Sequence, residues 1–250
     1  MNTRVWLVGA GPGDPELLTL KAVRVLGQAD VVMVDDLVNP LILEHCPQAQ
    51  IVRVGKRGGC RSTPQDFINR LMLRYARQGR KLVRLKGGDP CIFGRAGEEA
   101  QWLAERGIVS ETVNGITAGL AGATQCGIPL TLRGTSRGVT LVTAHTQDDS
   151  DLNWRGLAMG GTTLVVYMGV ARLQQIRQGL LDGGMPGSTP VAMIERASLP
   201  DQRQQVCSLS QLCEAAAAFK LQSPAVLVIG DVVAAADLLQ HPAELAALGS

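Results

Sequence analysis

Two glycine-rich turns carry residues whose types and spacing suit close contact with a small ligand. The first is Val8-Gly9-Ala10-Gly11-Pro12-Gly13-Asp14-Pro15, and the second is Arg84-Leu85-Lys86-Gly87-Gly88-Asp89-Pro90. Without a Cβ, their glycines let the backbone approach a ligand closely, and Asp89 offers a carboxylate to ribose hydroxyls or to an amine. A dinucleotide fingerprint needs G-x-G-x-x-G opening a helix, whereas the glycines here fall at Gly9, Gly11 and Gly13. The third comes one residue early, and Pro12 removes a backbone N–H that a pyrophosphate cradle would use. The first turn therefore reads as a rigid wall for a ligand, not as a phosphate nest. For both segments a plain chain reversal stays open as the simpler reading.

Charge is unevenly spread. Eleven Lys and Arg residues lie from Arg53 to Lys86 against the single acid Asp66, although the 250-residue chain has a net charge of only +2. Such clustering suggests a polyanionic partner. Arg70, Arg74 and Arg77 recur at helical spacing opposite the apolar stripe of Ile68, Leu71, Met72 and Tyr75, which marks them as a solvated face. Lys56, Arg57, Arg61 and Lys86 follow or end strands, where open α/β sheets bind their ligands, and are the better ligand candidates.

The elements that must hold these residues alternate. Strands are expected at residues 5–8, 31–34, 51–54, 81–85 and 109–113, with helices at 15–26, 64–78 and 96–105, the pattern of a parallel sheet. Asp14 and Pro15 read as the N-cap and first position of the first helix. Thr63, Pro64 and Asp66 read as an acidic capping box for the second. Asn114-Gly115 marks a break, after which come a glycine-rich segment at 116–127, strands at 139–143, 162–168, 191–195 and 225–230, and helices at 170–181 and 210–220. Two α/β domains follow, residues 1–114 and 115–250, with a motif-free tail from Asp237.

Composition narrows the class further. Met1-Asn2-Thr3-Arg4 leads straight into a strand and no apolar run approaches the ~18 residues of a membrane span, so a cytoplasmic protein with no membrane partner is expected. Six scattered cysteines without a C-x-x-C pair suggest neither a zinc site nor a disulfide framework. With only three histidines, no metal site is expected.

Taken together, Gly9-Ala10-Gly11-Pro12-Gly13-Asp14, Leu17-Leu18-Thr19, Asp35 with Leu37-Val38, Gly55-Lys56-Arg57, the stretch from Arg84 to Pro90, Ile92-Phe93-Gly94-Arg95, Gly115-Ile116-Thr117-Ala118, Gly127-Ile128-Pro129-Leu130-Thr131 and Tyr167-Met168-Gly169 resemble the tetrapyrrole methylases. The likeness covers nearly the whole chain. Its narrower stretches, Gly-Lys-Arg and Leu-Lys-Gly-Gly-Asp-Pro, resemble the branch that methylates uroporphyrinogen III. The resemblance implies a two-domain α/β fold, with a parallel sheet in the N-terminal domain, a mixed sheet in the C-terminal one and the cofactor cleft between them. It also implies a homodimeric enzyme that transfers methyl groups from S-adenosylmethionine to two pyrrole carbons, leaving S-adenosylhomocysteine and giving precorrin-1 and then precorrin-2. The family's cofactor contacts fall on Pro12, Gly87, Gly88, Asp89, Ile92, Thr117, Ala118, Met168 and Ala197, the last being glycine in some relatives. Its proton acceptor falls on Asp35 and its proton donor on Lys56.

A reduced pyrrole is an electron-rich nucleophile, so the implied chemistry asks mainly for alignment of a ring carbon with the transferred methyl. The ring must then lose a proton, a task suited to a carboxylate at a strand end such as Asp35, which could instead cap a turn or bind a ring N–H. Lys56 could donate a proton or pair with a substrate carboxylate, the latter being the natural duty of a hydrated ammonium in a basic stretch. Arg57, Arg61 and Arg133 are the further candidates for the substrate's carboxylates. Asp36, Cys91, Leu132 and Ala144 depart from residues common in relatives, leaving room for another precorrin-like acceptor. Three other classes compete, of which a non-enzymatic interaction protein is least favoured by two ligand loops on one sheet edge. A nicotinamide-dependent oxidoreductase would use Asp30 or Asp35 as its ribose acid but leaves the second loop unexplained. An RNA methylase would use Arg70, Arg74 and Arg77, yet the chain has few aromatics for base stacking, so no nucleic-acid partner is expected.

Overall fold

The computed structural model describes residues 5–55, 63–145 and 152–236. The chain forms two compact units, Met1–Thr117 and Ala118–Ser250.

In the first unit, strands β1 (Val5–Gly9), β2 (Val31–Val34), β3 (Gln50–Arg53), β4 (Leu82–Lys86) and β5 (Ser110–Val113) form one sheet in the order β3-β2-β4-β1-β5. Every neighbouring pair is parallel, so all five carboxyl ends emerge along one edge. The period of two along each strand divides the core. Trp6, Val8, Val32, Val34, Val83 and Leu85 pack with Ala22, Val25 and Leu26 of helix α1 (Leu20–Leu26). On the opposite face Val5, Leu7, Val31, Met33 and Leu82 pack with Ile68 and Met72 of α2 (Gln65–Arg77) and Leu103 of α3 (Ala96–Ala104). With both faces covered, β1 and β2 are continuous apolar runs. Arg70, Arg74 and Arg77 are exposed on α2, as the stripe of sequence predicts.

Two helix starts differ from expectation. Residues 15–26 do not form one helix: Asp14 caps a single 3-10 turn at Pro15–Leu17, Leu18 is extended, and Thr19 caps α1 by accepting the Ala22 N–H at 3.2 Å. The Thr19 cap offers the chain a second start that propensity along residues 15–26 does not reveal. Thr63 does not cap α2; its hydroxyl donates to the Gly55 carbonyl at 3.3 Å, and Asp66 pairs with Arg70. The helix instead begins behind an extended Pro64 with no side-chain cap.

The second unit holds β6 (Val139–Thr143), β7 (Thr163–Tyr167), β8 (Pro190–Glu195), β9 (Arg203–Ser208) and β10 (Ala225–Ile229) in the order β6-β7-β10-β8-β9. This sheet is mixed: β6 and β7 are parallel, while β10 runs antiparallel to both β7 and β8, and β9 antiparallel to β8. Its helices are α4 (Ala118–Gln125), α5 (Trp154–Met159), α6 (Leu173–Asp182) and α7 (Leu212–Phe219). A Cβ at Gly119 would overlap the Tyr167 hydroxyl; in its place the Gly119 N–H donates to that hydroxyl at 2.9 Å, seating α4 on the sheet. Among the described residues no helix is long and apolar enough to cross a membrane, and no group of three His, Cys, Asp or Glu could hold a metal ion.

Candidate functional site

The carboxyl edge of the first sheet joins three turns by their backbones. After β1 and β4, Gly11 N–H donates to Gly88 O at 3.2 Å and Gly88 N–H to Gly11 O at 2.7 Å, while Ala10 N–H donates to Lys86 O at 2.7 Å. Gly11 and Gly88 sit at φ of +73° and +68°, conformations that favour glycine. Asp89 is buried and clamps the β4 and β5 turns together. Its Oδ1 accepts the Cys91 N–H at 2.7 Å, and its Oδ2 accepts Gly115 N–H at 3.1 Å and Asn114 Nδ2 at 3.3 Å. Pro12, Gly87, Gly88 and Ile92 are half-buried along this edge, and Thr117 is buried. Glycine backbone lines this edge, with Leu37 packed against Gly87, and backbone without a Cβ admits the close approach that a bound cofactor makes.

The same geometry bears on a dinucleotide. Gly11 N–H is spent on Gly88, and the turn leads into a 3-10 turn and an extended Leu18 before α1 begins at Leu20. No helix N-terminus opens directly behind the glycines, which is the feature a pyrophosphate requires. Asp30 accepts the Lys81 N–H at 2.8 Å at the start of its strand, the opposite edge from the turns.

Beneath the edge lies a buried layer of charge that sequence reasoning missed. Leu82, Arg84 and Lys86 alternate onto the α2/α3 face of β4, which places Arg84 and Lys86 in the interior. Lys86 is therefore not an open ligand cation: its Nζ donates to both oxygens of Glu99, at 3.0 and 3.1 Å. Arg84 donates from Nε to Glu99 at 3.4 Å and from Nη2 to Asp35 Oδ1 at 2.6 Å. Burial, followed by the neighbouring Arg84 charge, holds the Lys86 ammonium below the usual lysine range against the pull of Glu99. One signal could have revealed this layer. Ala96, Glu99 and Leu103 are spaced three and four apart, so Glu99 falls on the core face of α3 and demands a buried counter-charge. Asp35 itself stands just past β2 with its side chain 31% exposed, held by Arg84 and open to the edge.

In the second unit, β7 and β8 run the same way on either side of β10, so Met168 and Ala197 leave the same sheet edge. Three non-glycine residues there have left-handed backbones: Met168 at φ +54°, Arg196 at +56° and Ser198 at +64°. Each such conformation costs of order 1 kcal/mol or more, and strain of this kind collects at ligand sites. Met168 is 48% exposed and Ala197 is buried between its strained neighbours. Ala118, the first residue of α4, is half-buried.

Arg133 lies elsewhere. It is exposed in the turn closed by Leu132 and Ser136, and Ser136 Oγ accepts the N–H of Thr163 at the start of β7 at 3.0 Å. Met168 follows the other end of that five-residue strand, about 17 Å away at the usual strand rise. Lys56, Arg57 and Arg61 fall outside the described residues.

The clamp gives a prediction. Asp89→Ala should lower stability by about 1–3 kcal/mol, because three donors lose their acceptor, and should weaken S-adenosylhomocysteine binding as the turns loosen. Thermal unfolding and calorimetric titration of the same preparation check both; unchanged stability would remove the clamp, and unchanged affinity would remove Asp89 from the site.

A parallel sheet with a strand-edge glycine cradle, followed by a mixed sheet with a strained edge, defines the class. The chain belongs to the tetrapyrrole (corrin/porphyrin) methylases, whose pattern it matches over residues 4–213. It is 72% identical over 247 residues to a uroporphyrinogen-III C-methyltransferase of Pseudomonas aeruginosa, covering 99% of this chain and 100% of that one. It is 47% identical over 237 residues to a siroheme synthase of Azotobacter vinelandii, covering 94% of this chain but only 51% of that longer protein. Among solved structures, uroporphyrin-III C-methyl transferase of Thermus thermophilus, in complex with S-adenosylhomocysteine, is 42% identical with a TM-score of 0.81, covering 93% of this chain and 99% of that one.

Proposed function

We propose that this protein methylates two pyrrole carbons of uroporphyrinogen III in sequence, giving precorrin-2 by way of precorrin-1. The methyl donor is S-adenosylmethionine, released as S-adenosylhomocysteine, and the product supplies cobalamin- or sirohaem-type tetrapyrroles. The observation that carries this reading is the 72% identity with the Pseudomonas aeruginosa enzyme over 99% of this chain and 100% of that one. The paired glycine turns support it, since they let a ligand approach the backbone and lack the α-helix start that a dinucleotide needs. The proposal includes a homodimer working in the cytoplasm, as the family resemblance implies.

When bound, S-adenosylmethionine supplies an electrophilic methyl group on a sulfonium centre. Pro12, Gly87, Gly88, Asp89, Ile92, Thr117, Ala118, Met168 and Ala197 are the proposed cofactor contacts. Their work is orientation: a rigid proline wall and backbone held by paired hydrogen bonds keep the reactants aligned without reorganisation. Asp35, steadied by Arg84, takes the proton that the methylated ring carbon region must shed, which restores the neutral macrocycle. Lys56, Arg57 and Arg61 are the proposed partners of the substrate's carboxylates, with Lys56 also the candidate proton donor, while Arg133 stands at the far end of β7.

Incubation with uroporphyrinogen III and labelled S-adenosylmethionine under anaerobic conditions, followed by mass analysis, tests the reading. A monomethyl species should rise first and a dimethyl species replace it. Absence of any methylated tetrapyrrole would overturn the substrate assignment.

A further inference from the structure

We propose that Glu99, fully buried in α3, is a positioning residue for Asp35, acting through Arg84. The inference rests on the reading of Asp35 as the proton acceptor. Exposure falls along the chain of contacts: the side chains of Asp35, Arg84 and Glu99 are 31%, 3% and 0% exposed. Only the first can meet a substrate, and the other two lead inward from it. Glu99 Oε1 collects Gln65 Nε2 at 2.9 Å, Lys86 Nζ at 3.0 Å and Arg84 Nε at 3.4 Å, so α2, α3 and β4 converge on one carboxylate. Gln65 is itself tied to Asn69 at 3.1 Å.

The geometry of arginine is what makes the chain transmit. A guanidinium is planar, and fixing its Nε edge on Glu99 fixes where Nη2 points, which here is Asp35 Oδ1 at 2.6 Å. A lysine at the same place would swivel. Lys86 balances the layer, giving two cations against two carboxylates. An apolar layer of the same volume would be no less stable in general, so the layer is explained better by aiming Asp35 than by holding the fold.

Glu99→Leu alone leaves two buried cations facing one carboxylate and can fail to fold, so the decisive variant is Glu99→Leu with Lys86→Met, which removes one charge of each sign and leaves no oxygen at position 99 for Arg84 Nε. The full chain should fold and bind S-adenosylhomocysteine within about twofold of wild type, with the Michaelis constant for uroporphyrinogen III equally unmoved and the turnover number down roughly tenfold or more. In an Asp35→Asn background the same pair of changes should cost no further turnover, because residues acting through one group are not additive.

Normal turnover in the double variant, or a further tenfold loss in the Asp35→Asn background, would overturn the positioning role while leaving Asp35 as the acceptor. Normal turnover in Asp35→Asn alone would overturn the acceptor reading and this inference with it. A double variant that does not fold or bind S-adenosylhomocysteine would assign the layer to the fold and overturn the proposal too.

Discussion

Asp35→Asn should lower the turnover number roughly a hundredfold or more, the loss typical of a missing general base, while the affinity for S-adenosylhomocysteine stays near wild type. The fold should survive the change, because Arg84 keeps Glu99 as a counter-ion and Asp35 is the exposed end of the charged layer. Asparagine preserves shape and an oxygen for Arg84 Nη2, so the loss isolates the proton-accepting function from the positional one. Lys56→Gln should behave differently. If that ammonium holds a substrate carboxylate, its removal raises the Michaelis constant and flattens the dependence on salt, since one screened charge pair is gone. Steady-state kinetics at several ionic strengths separate the two variants. A Lys56→Gln enzyme with collapsed turnover and an unchanged Michaelis constant would move Lys56 into proton donation, and an Asp35→Asn enzyme of normal turnover would take the proton elsewhere.

How far the sequence could be read depended on whether a signal was local. The buried parallel strands were legible because apolar runs between glycine turns have few other uses, and α2 was legible from its stripe of Ile68, Met72 and exposed arginines. Strand β9 was not. Arg203–Ser208 is an edge strand with most of its side chains exposed, so neither an apolar run nor an alternation marks it; only its pairing with β8 defines it. Helix α4 escaped for the opposite reason, since glycine at 119 and 122 lowers helix propensity and is there to let the helix touch the sheet. At the site, the glycine turns could be seen in sequence but their mutual pairing could not, because Gly11 and Gly88 are far apart in the chain. Lys86 was read as a ligand cation because strand ends are where ligands bind; its partner Glu99 lies on a different element, and the pair emerges only when α3 is laid across β4.

That same close packing of turns sets up the largest expected effect on stability. Gly9, Gly88 and Gly115 end or follow β1, β4 and β5, and their backbones meet where Asp89 ties the β5 turn to the β4 turn. A Cβ at Gly115 would overlap the carbonyl oxygen of Gly88 and lie 2.9 Å from Gly9 Cα. Both obstacles are backbone, so no side chain can swing aside. Gly115→Ala should therefore cost about 1–3 kcal/mol or more as the turns are forced apart, read as a drop of roughly 2–4 °C in Tm per kcal/mol. It should also abolish measurable S-adenosylhomocysteine binding, because the Gly11–Gly88 pairing that forms the cradle is displaced with it. Gly97→Ala is the control. Gly97 lies in α3 with nothing within 4 Å of its would-be Cβ, so there alanine should raise stability by up to about 1 kcal/mol through helix propensity alone. Equal melting temperatures for the two alanine variants would mean that the three turns do not meet as described, and with them would go the physical reason for glycine at position 115.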